Sequence, residues 1–495
     1  MAEALRVLYV TSEVFPLAKT GGLGDVSSVL PSTLRQLGVD ARILMPAYPD
    51  VIARLDARPV GAPIPTLPSL EPVQLFQGIL PDAVPGALTP VYAIASPALY
   101  ARSGGPYADD SGHDWPDNAI RFAVLSKVAA LMGCGAGPDD WWPHIVHCND
   151  WQSGLTPAYL ALADSVRARS VLSIHNLAFQ GNFSPDLMPA LGLPWSCFHP
   201  RGVEFYGQIS YLKAGLHYAD HISTVSRSYA REIQTPEFGF GMQGLLVEAN
   251  DRLTGIMNGI DALRWNPATD PYLAAPYSSE DLSGKLDNKR LLQARLALEP
   301  DLELPILALV TRLTYQKGVD LVLGLVDELL EQPLQWAVLG SGDKAYEAQW
   351  RALAEIYPGR VGVSIGYHEE LAHLVEAGAD LFLMPSRFEP CGLNQMYSMR
   401  YGVLPVVRRT GGLADSVVDI TPRSLLDGAA TGFVFENANR EELRACLLRA
   451  LLLYRDQATW RQAQLHGMRR DFSWAASAAR YLELYRTLQP GWSSM

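Results

Sequence analysis

The sequence is poor in the features that mark several large classes of protein. Lysine and arginine number 40 against 52 aspartate and glutamate, a formal net charge of −12. No broad basic surface is therefore available for nucleic acid or an anionic membrane. A small anionic ligand remains possible, but its site must be built locally from a few cations and backbone amides. Cysteine is scarce: Cys134, Cys148, Cys197, Cys391 and Cys446 make an odd number with no C-x-x-C pair, which predicts free thiols in a reducing compartment. No apolar run approaches a membrane span, and the short apolar stretch 7–10 is too brief for a signal-peptide core, so the cytoplasm is the expected compartment. No cluster of His, Cys and carboxylate has zinc-like spacing, so no metal site is expected. A G-x-S-x-G elbow and a P-loop are also missing.

What is present is an ordinary globular composition, 48% hydrophobic and 19% charged over 495 residues. That length exceeds one hydrophobic core and predicts two α/β domains of similar size. Strand-like and helix-like runs alternate, the pattern of parallel α/β layers. In the first half strands are expected at 6–11, 40–46, 145–148, 170–175 and 221–225, with helices at 118–132 and 153–163. Proline-crowded residues 59–97 read as small strands and turns inserted in the first domain. Residues 101–117, dense in glycine and aspartate, read as a long loop, either disordered or functional. In the second half strands are expected at 304–311, 335–340, 361–365, 381–385 and 403–407, with a helix at 319–331. The hinge is placed near 250–256, giving domains at 1–254 and 255–475 and a terminal helix at 476–495.

Glycine-rich turns recur. Lys19-Thr20-Gly21-Gly22-Leu23-Gly24-Asp25 follows the first strand, and Arg409-Thr410-Gly411-Gly412-Leu413-Ala414-Asp415 follows a strand of the second half. Such turns let the backbone approach a ligand, and the amides opening the next helix favour an anion. Lys19 adds a full charge, although a plain turn with a surface lysine has the same pattern. Arg312 ends an apolar strand and Lys317 precedes a helix, so two cations stand where open α/β sheets bind ligands. Together they suit a diphosphate; the alternative is an Arg312 paired with an internal carboxylate. Glu389, between Phe388 and Pro390, is a stiffly held carboxylate able to accept from sugar hydroxyls, or else a helix-entry acid. Cys391 has no neighbouring base and reads as a small buried thiol rather than a nucleophile. His175 and the run His147-Cys148-Asn149-Asp150-Trp151 put polar groups at strand ends.

Taken in order, these segments resemble the bacterial and plant-type glycogen (starch) synthases. The likeness includes His175-Asn176-Leu177-Ala178-Phe179-Gln180-Gly181, Glu204-Phe205-Tyr206-Gly207-Gln208-Ile209, Asn258-Gly259-Ile260-Asp261, Thr311 to Gly318, Gly366-Tyr367-His368-Glu369 and Ser386 to Leu393. The resemblance implies a GT-B architecture, two Rossmann-like domains with a deep cleft between them. It also implies a retaining transfer of glucose from ADP-glucose to an α-1,4-glucan such as glycogen. Another GT-B transferase using a UDP-sugar, or a nucleotide-sugar epimerase or hydrolase, stays open. The resemblance assigns His175, Arg312, Lys317 and Glu389 to catalysis. It puts Lys19, Gly21, Gly22, Asn258, Tyr367, Cys391, Gly392, Leu393, Thr410 and Gly411 on the donor, and Tyr107 and Asp150 on the acceptor. It implies no metal and no pyridoxal phosphate. Asn149 and Gln152 depart from the histidines common at those positions in the family, which puts acceptor-side detail in question.

Overall fold

The computed structural model describes residues 4–81 and 84–489. Two compact units emerge, 1–259 with 474–495, and 260–473. The change of unit lies beyond the expected hinge at 250–256. The physical reason is that Leu253–Gly255 is itself the edge strand of the first sheet, paired in parallel with His221–Thr224.

The first unit carries a nine-stranded sheet among the described residues. Its parallel part runs Leu253–Gly255, His221–Thr224, Arg169–Ile174, Ile145–Asn149, Arg6–Val10, Asp40–Pro46, Pro90–Ala95. The proline-rich segment forms small strands within the first unit, as the sequence suggested, and they join its main sheet. Val73–Ile79 and Arg58–Ile64 add antiparallel to Pro90–Ala95 and extend the same sheet. Strand order reverses between Arg6–Val10 and its neighbour Ile145–Asn149, and ligands of open α/β sheets bind outside the carboxyl ends at such a point. The loop 101–117 is tied down by Arg102–Asp117 at 2.8 Å and by Asn118 Nδ2 donating to the Tyr107 carbonyl.

Helix Gly22–Gln36 turns Val26, Leu30 and Leu34 into a core shared with Trp474, Tyr481 and Tyr485 of Trp474–Leu488. The terminal helix thus packs in the first unit. The helical stretch Asn118–Ala136 is long and apolar enough to cross a membrane, contrary to the reading of the sequence, but 67% of its most apolar window is buried inside the unit. Its apolarity on all sides is that of a central core helix.

The second unit holds a six-stranded parallel sheet in the order Val361–Ile365, Gln335–Gly340, Ile306–Val310, Leu381–Met384, Leu404–Arg408, Phe433–Phe435. The reversal of winding falls between Ile306–Val310 and Leu381–Met384. The helix expected at 319–331 is two pieces, Val319–Leu323 and Val326–Leu329. Gly324 ends the first piece, and the Arg440 guanidinium lies where a side chain would stand.

Candidate functional site

In the first unit the glycine turn is shaped by a residue the sequence reading passed over. Glu13 is buried, at 3% exposure. Its Oε2 accepts from the amides of Thr20 at 2.5 Å and Gly21 at 3.0 Å, and its Oε1 accepts from the Tyr107 hydroxyl at 2.5 Å. Gly21 is extended and Gly22 opens the helix. Lys19 pairs with Asp25 at 2.8 Å. Tyr107 is therefore bound to the base of the glycine turn, with Ser12 Oγ 2.7 Å from its hydroxyl.

Asp150 and His175 stand at the carboxyl ends of adjacent strands. Asp150 Oδ1 accepts from the amides of His175 at 2.7 Å and Asn176 at 3.3 Å. Burial nevertheless pushes its carboxyl up to about 7, against those two amides. The ring of His175 is oriented by Asn149: Nε2 lies 2.9 Å from Asn149 Oδ1, which also accepts from the Tyr9 hydroxyl at 3.0 Å. Asn149 Nδ2 donates to the Val10 carbonyl at 3.0 Å, which fixes the amide. An amide oxygen only accepts, so His175 carries its proton on Nε2. Burial drives His175 down to about 4, leaving the ring neutral near pH 7. His147 is a structural residue. It is fully buried, with Nδ1 2.6 Å from the Tyr485 hydroxyl and Nε2 2.6 Å from Ser173 Oγ. Asn258 is buried too, and its Oδ1 has no hydrogen-bond partner among the described residues.

Burial lowers His147 to about 3 and His221 to about 4 as well. A base depressed in the fold takes up a proton on unfolding. The stability from these three histidines is complete above about 6.5 and is lost as pH falls toward their folded values. Asp150 works oppositely, since its contribution is complete below about 4 and is lost as pH rises through about 7. Urea melts at pH 6.5 and 4.5 should show the first unit weaker at the lower pH. Equal midpoints would mean that these rings are not neutral in the fold.

In the second unit the reversal point forms a depression of about 380 Å³, partly open to solvent, whose lining includes Thr311, Lys317, Ser386, Glu389, Gly392 and Leu393. Lys317 Nζ pairs with Glu389 Oε2 at 2.5 Å, and Ser386 Oγ donates to the same oxygen at 3.0 Å. The two loops are tied by Arg387, which pairs with Asp320 at 2.7 Å and lies 3.5 Å over the Tyr315 ring. Gly411 and Gly412 sit against the Glu389 loop, with the Gly412 amide donating to the Glu389 carbonyl at 3.0 Å. Cys391 and Thr410 are buried, whereas Tyr367 is 71% exposed. Arg312 is exposed and forms no ion pair among the described residues, so the alternative of an internal partner is not realised. Among the described residues no group of three or more His, Cys, Asp and Glu side chains is placed to hold a metal ion.

Comparison with known proteins identifies the family and the fold. Residues 6–248 match the family described as starch synthase catalytic domain, and residues 294–465 match glycosyl transferases group 1. The chain is 52% identical to a glycogen synthase of Nitrosomonas eutropha, over 98% of this chain and 96% of that protein. It is likewise 52% identical to a glycogen synthase of Nitrosospira multiformis, over 98% and 97%. The catalytic domain of starch synthase IV from Arabidopsis thaliana, solved bound to ADP and acarbose, superposes with a TM-score of 0.87 at 32% identity, covering 98% of this chain and 99% of that one. The chain therefore belongs to the glycogen synthase family of glycosyltransferases, built on the GT-B architecture of two Rossmann-like α/β domains.

Proposed function

We propose that the chain transfers glucose from ADP-glucose to the non-reducing end of an α-1,4-glucan, with retention and release of ADP. The observation that carries this reading is the Lys317–Glu389 pair lining the depression at the strand-order reversal of the second unit, with Arg312, which has no ion-pair partner among the described residues, just beyond the end of an adjoining strand. A relative of the same fold carries ADP and an acarbose, which supports a nucleotide donor and a glucan acceptor.

In this reading Arg312 and Lys317 neutralise charge that grows on the diphosphate as the glucosyl C1–O bond breaks. Lys19, paired with Asp25 in the first unit, is a further cation able to exchange that carboxylate for an anion. Glu389 accepts from sugar hydroxyls through the oxygen not held by Ser386. The acceptor hydroxyl oxygen bonds to C1 on the face the phosphate leaves, and its proton passes to a phosphate oxygen. Neutral His175 contacts the glucose without placing positive charge beside the developing oxocarbenium ion. The chemistry asks for no pyridoxal phosphate, and the cations supply the diphosphate neutralisation.

ADP release from ADP-glucose, with and without glycogen and beside UDP-glucose, tests the reading. Glycogen-dependent release favouring ADP-glucose is the expected result. Release indifferent to glycogen would sink it in favour of a hydrolase, and a preference for UDP-glucose would sink the donor assignment. Activity is further expected to rise with pH through about 7 as Asp150 ionises. Asp150→Asn keeps an acceptor for the two amides and should flatten that limb. A limb that persists unchanged in the variant would assign it to another group.

A further inference from the structure

Two aromatic side chains of the first unit occupy backbone positions that disfavour them. Strands Glu204–Phe205 and Gln208–Ser210 form a hairpin, with Phe205 opposite Gln208. The two-residue turn is Tyr206-Gly207, with φ of 48° and 78°. A turn with both central residues at positive φ calls for Asn-Gly or Asp-Gly, and a bulky ring at its first position is strained. The same irregularity recurs at Phe240-Gly241, with φ of 47° and 85°. Burial offsets little of the cost at Tyr206, which is 81% exposed, and Phe240 still leaves 39% of its surface open.

The two turns are neighbours. A Cβ placed on Gly241 would stand 3.3 Å from Tyr206 Cε2 and 3.1 Å from Phe205 Cζ, so glycine lets the Tyr206 ring lie over this turn. The Phe205 and Tyr206 rings meet edge to face, with centroids 4.7 Å apart. Gln180, five residues beyond His175, donates from Nε2 to the Phe240 carbonyl at 3.0 Å. Its own carbonyl accepts from the Leu212 amide at 3.1 Å. The backbone of the Phe240 turn is thus fastened to the segment that carries His175.

Strain kept at exposed residues marks a function that outweighs its cost in stability. We infer that Tyr206 and Phe240 form a platform on which sugar rings of the α-glucan chain stack, an extension of the acceptor site that rests on the function proposed above. The pyranose C–H face is apolar with slightly positive hydrogens, and an aromatic face is negative, so the two are complementary. A nucleotide diphosphate has no comparable use for an exposed aromatic face.

The test uses Tyr206→Asn, Phe240→Ala and Tyr206→Trp in the full chain. It measures KM for glycogen, KM for ADP-glucose and the Kd of maltoheptaose by calorimetry. Stacking contributes about 0.5–1.5 kcal/mol per aromatic pair, which is roughly 2- to 10-fold in affinity. Tyr206→Asn and Phe240→Ala are expected to raise the glycogen KM and maltoheptaose Kd by such factors, with KM for ADP-glucose unmoved. Tyr206→Trp, which keeps an aromatic face, should retain parental glucan affinity. Tyr206→Asn should also melt no lower than the parent chain, because Asn tolerates positive φ. A purely structural role would lower the melting temperature and leave glucan affinity alone. Unchanged glycogen KM and maltoheptaose Kd in both weakened variants would overturn the platform while ADP release by the parent chain still supported the transferase. Absence of glycogen-dependent release in the parent chain would instead overturn the proposed function.

Discussion

Arg312→Ala is expected to lower turnover by about 10²- to 10³-fold, the usual cost of removing one electrostatic stabiliser of the transition state, with no loss of thermal stability. Lys317→Ala should lose both activity and stability. The difference follows from where the two cations lie. Arg312 is exposed and has no ion-pair partner among the described residues. Truncating such a side chain changes stability by no more than about 0.5 kcal/mol. Lys317 is matched to Glu389, whose side chain is only 8% exposed against 17% for the lysine. Removing one member of a buried pair leaves the other desolvated without compensation, at a cost of about 3–5 kcal/mol. Glu389→Gln keeps an acceptor for Ser386 and the shape of the loop but leaves the Lys317 charge uncompensated, so it should lose activity and also melt below the parent. Steady-state kinetics beside thermal melts of the three variants decide the matter. Turnover within threefold of the parent in Arg312→Ala would remove that residue from the diphosphate clamp. A Lys317→Ala variant melting with the parent would show that the pair holds no stability.

Much of the fold was legible because apolar runs bounded by turns at both ends have few alternatives. The strands Asp40–Pro46, Gln335–Gly340 and Val361–Ile365 fall where the run lengths put them. The extension of the first sheet by Val73–Ile79 and Arg58–Ile64 was not legible, since proline argues against a ladder and only an edge position tolerates it. The site was readable as residue types at strand ends, and not as pairs. Lys317 and Glu389 are separated by 72 residues, and Glu13 meets Tyr107 across 94. No local periodicity links such positions; only the shared strand-order reversal does. Asn149 shows the limit from the other side. In sequence it reads as a departure from a histidine. In the fold its amide oxygen sets which nitrogen of His175 carries the proton. Tyr206 is similar, because a tyrosine before glycine is unremarkable until the turn between Phe205 and Gln208 gives it a positive φ.

The glycines beside the Glu389 loop lead to the second large effect. Gly411→Ala should reduce kcat by at least about 10²-fold, the scale of a 1 Å misplacement at a reacting centre, while the chain remains folded with a lowered melting temperature. Gly411 has φ of 44°, and a Cβ there would stand 2.0 Å from the carbonyl oxygen of Glu389. The left-handed backbone alone costs a side chain about 1–2 kcal/mol. The overlap is with backbone, so no rotamer change relieves it and the loop itself has to move. That loop carries Glu389, and its displacement stretches the bonds from Lys317 and Ser386 that hold the carboxylate. Gly244→Ala is the matched control. No atom lies within 4 Å of its Cβ, its φ is not positive, and it sits inside the helix Gln243–Glu248. Alanine there should stabilise by roughly 0.5–1 kcal/mol and leave kcat in place. Adding phosphate-mimicking donor analogues should not rescue Gly411→Ala, because the defect is in the carboxylate's position rather than in donor affinity. A Gly411→Ala variant with parental kcat would mean that the Glu389 loop can move aside without consequence, and the carboxylate would then have no positional role in the transfer.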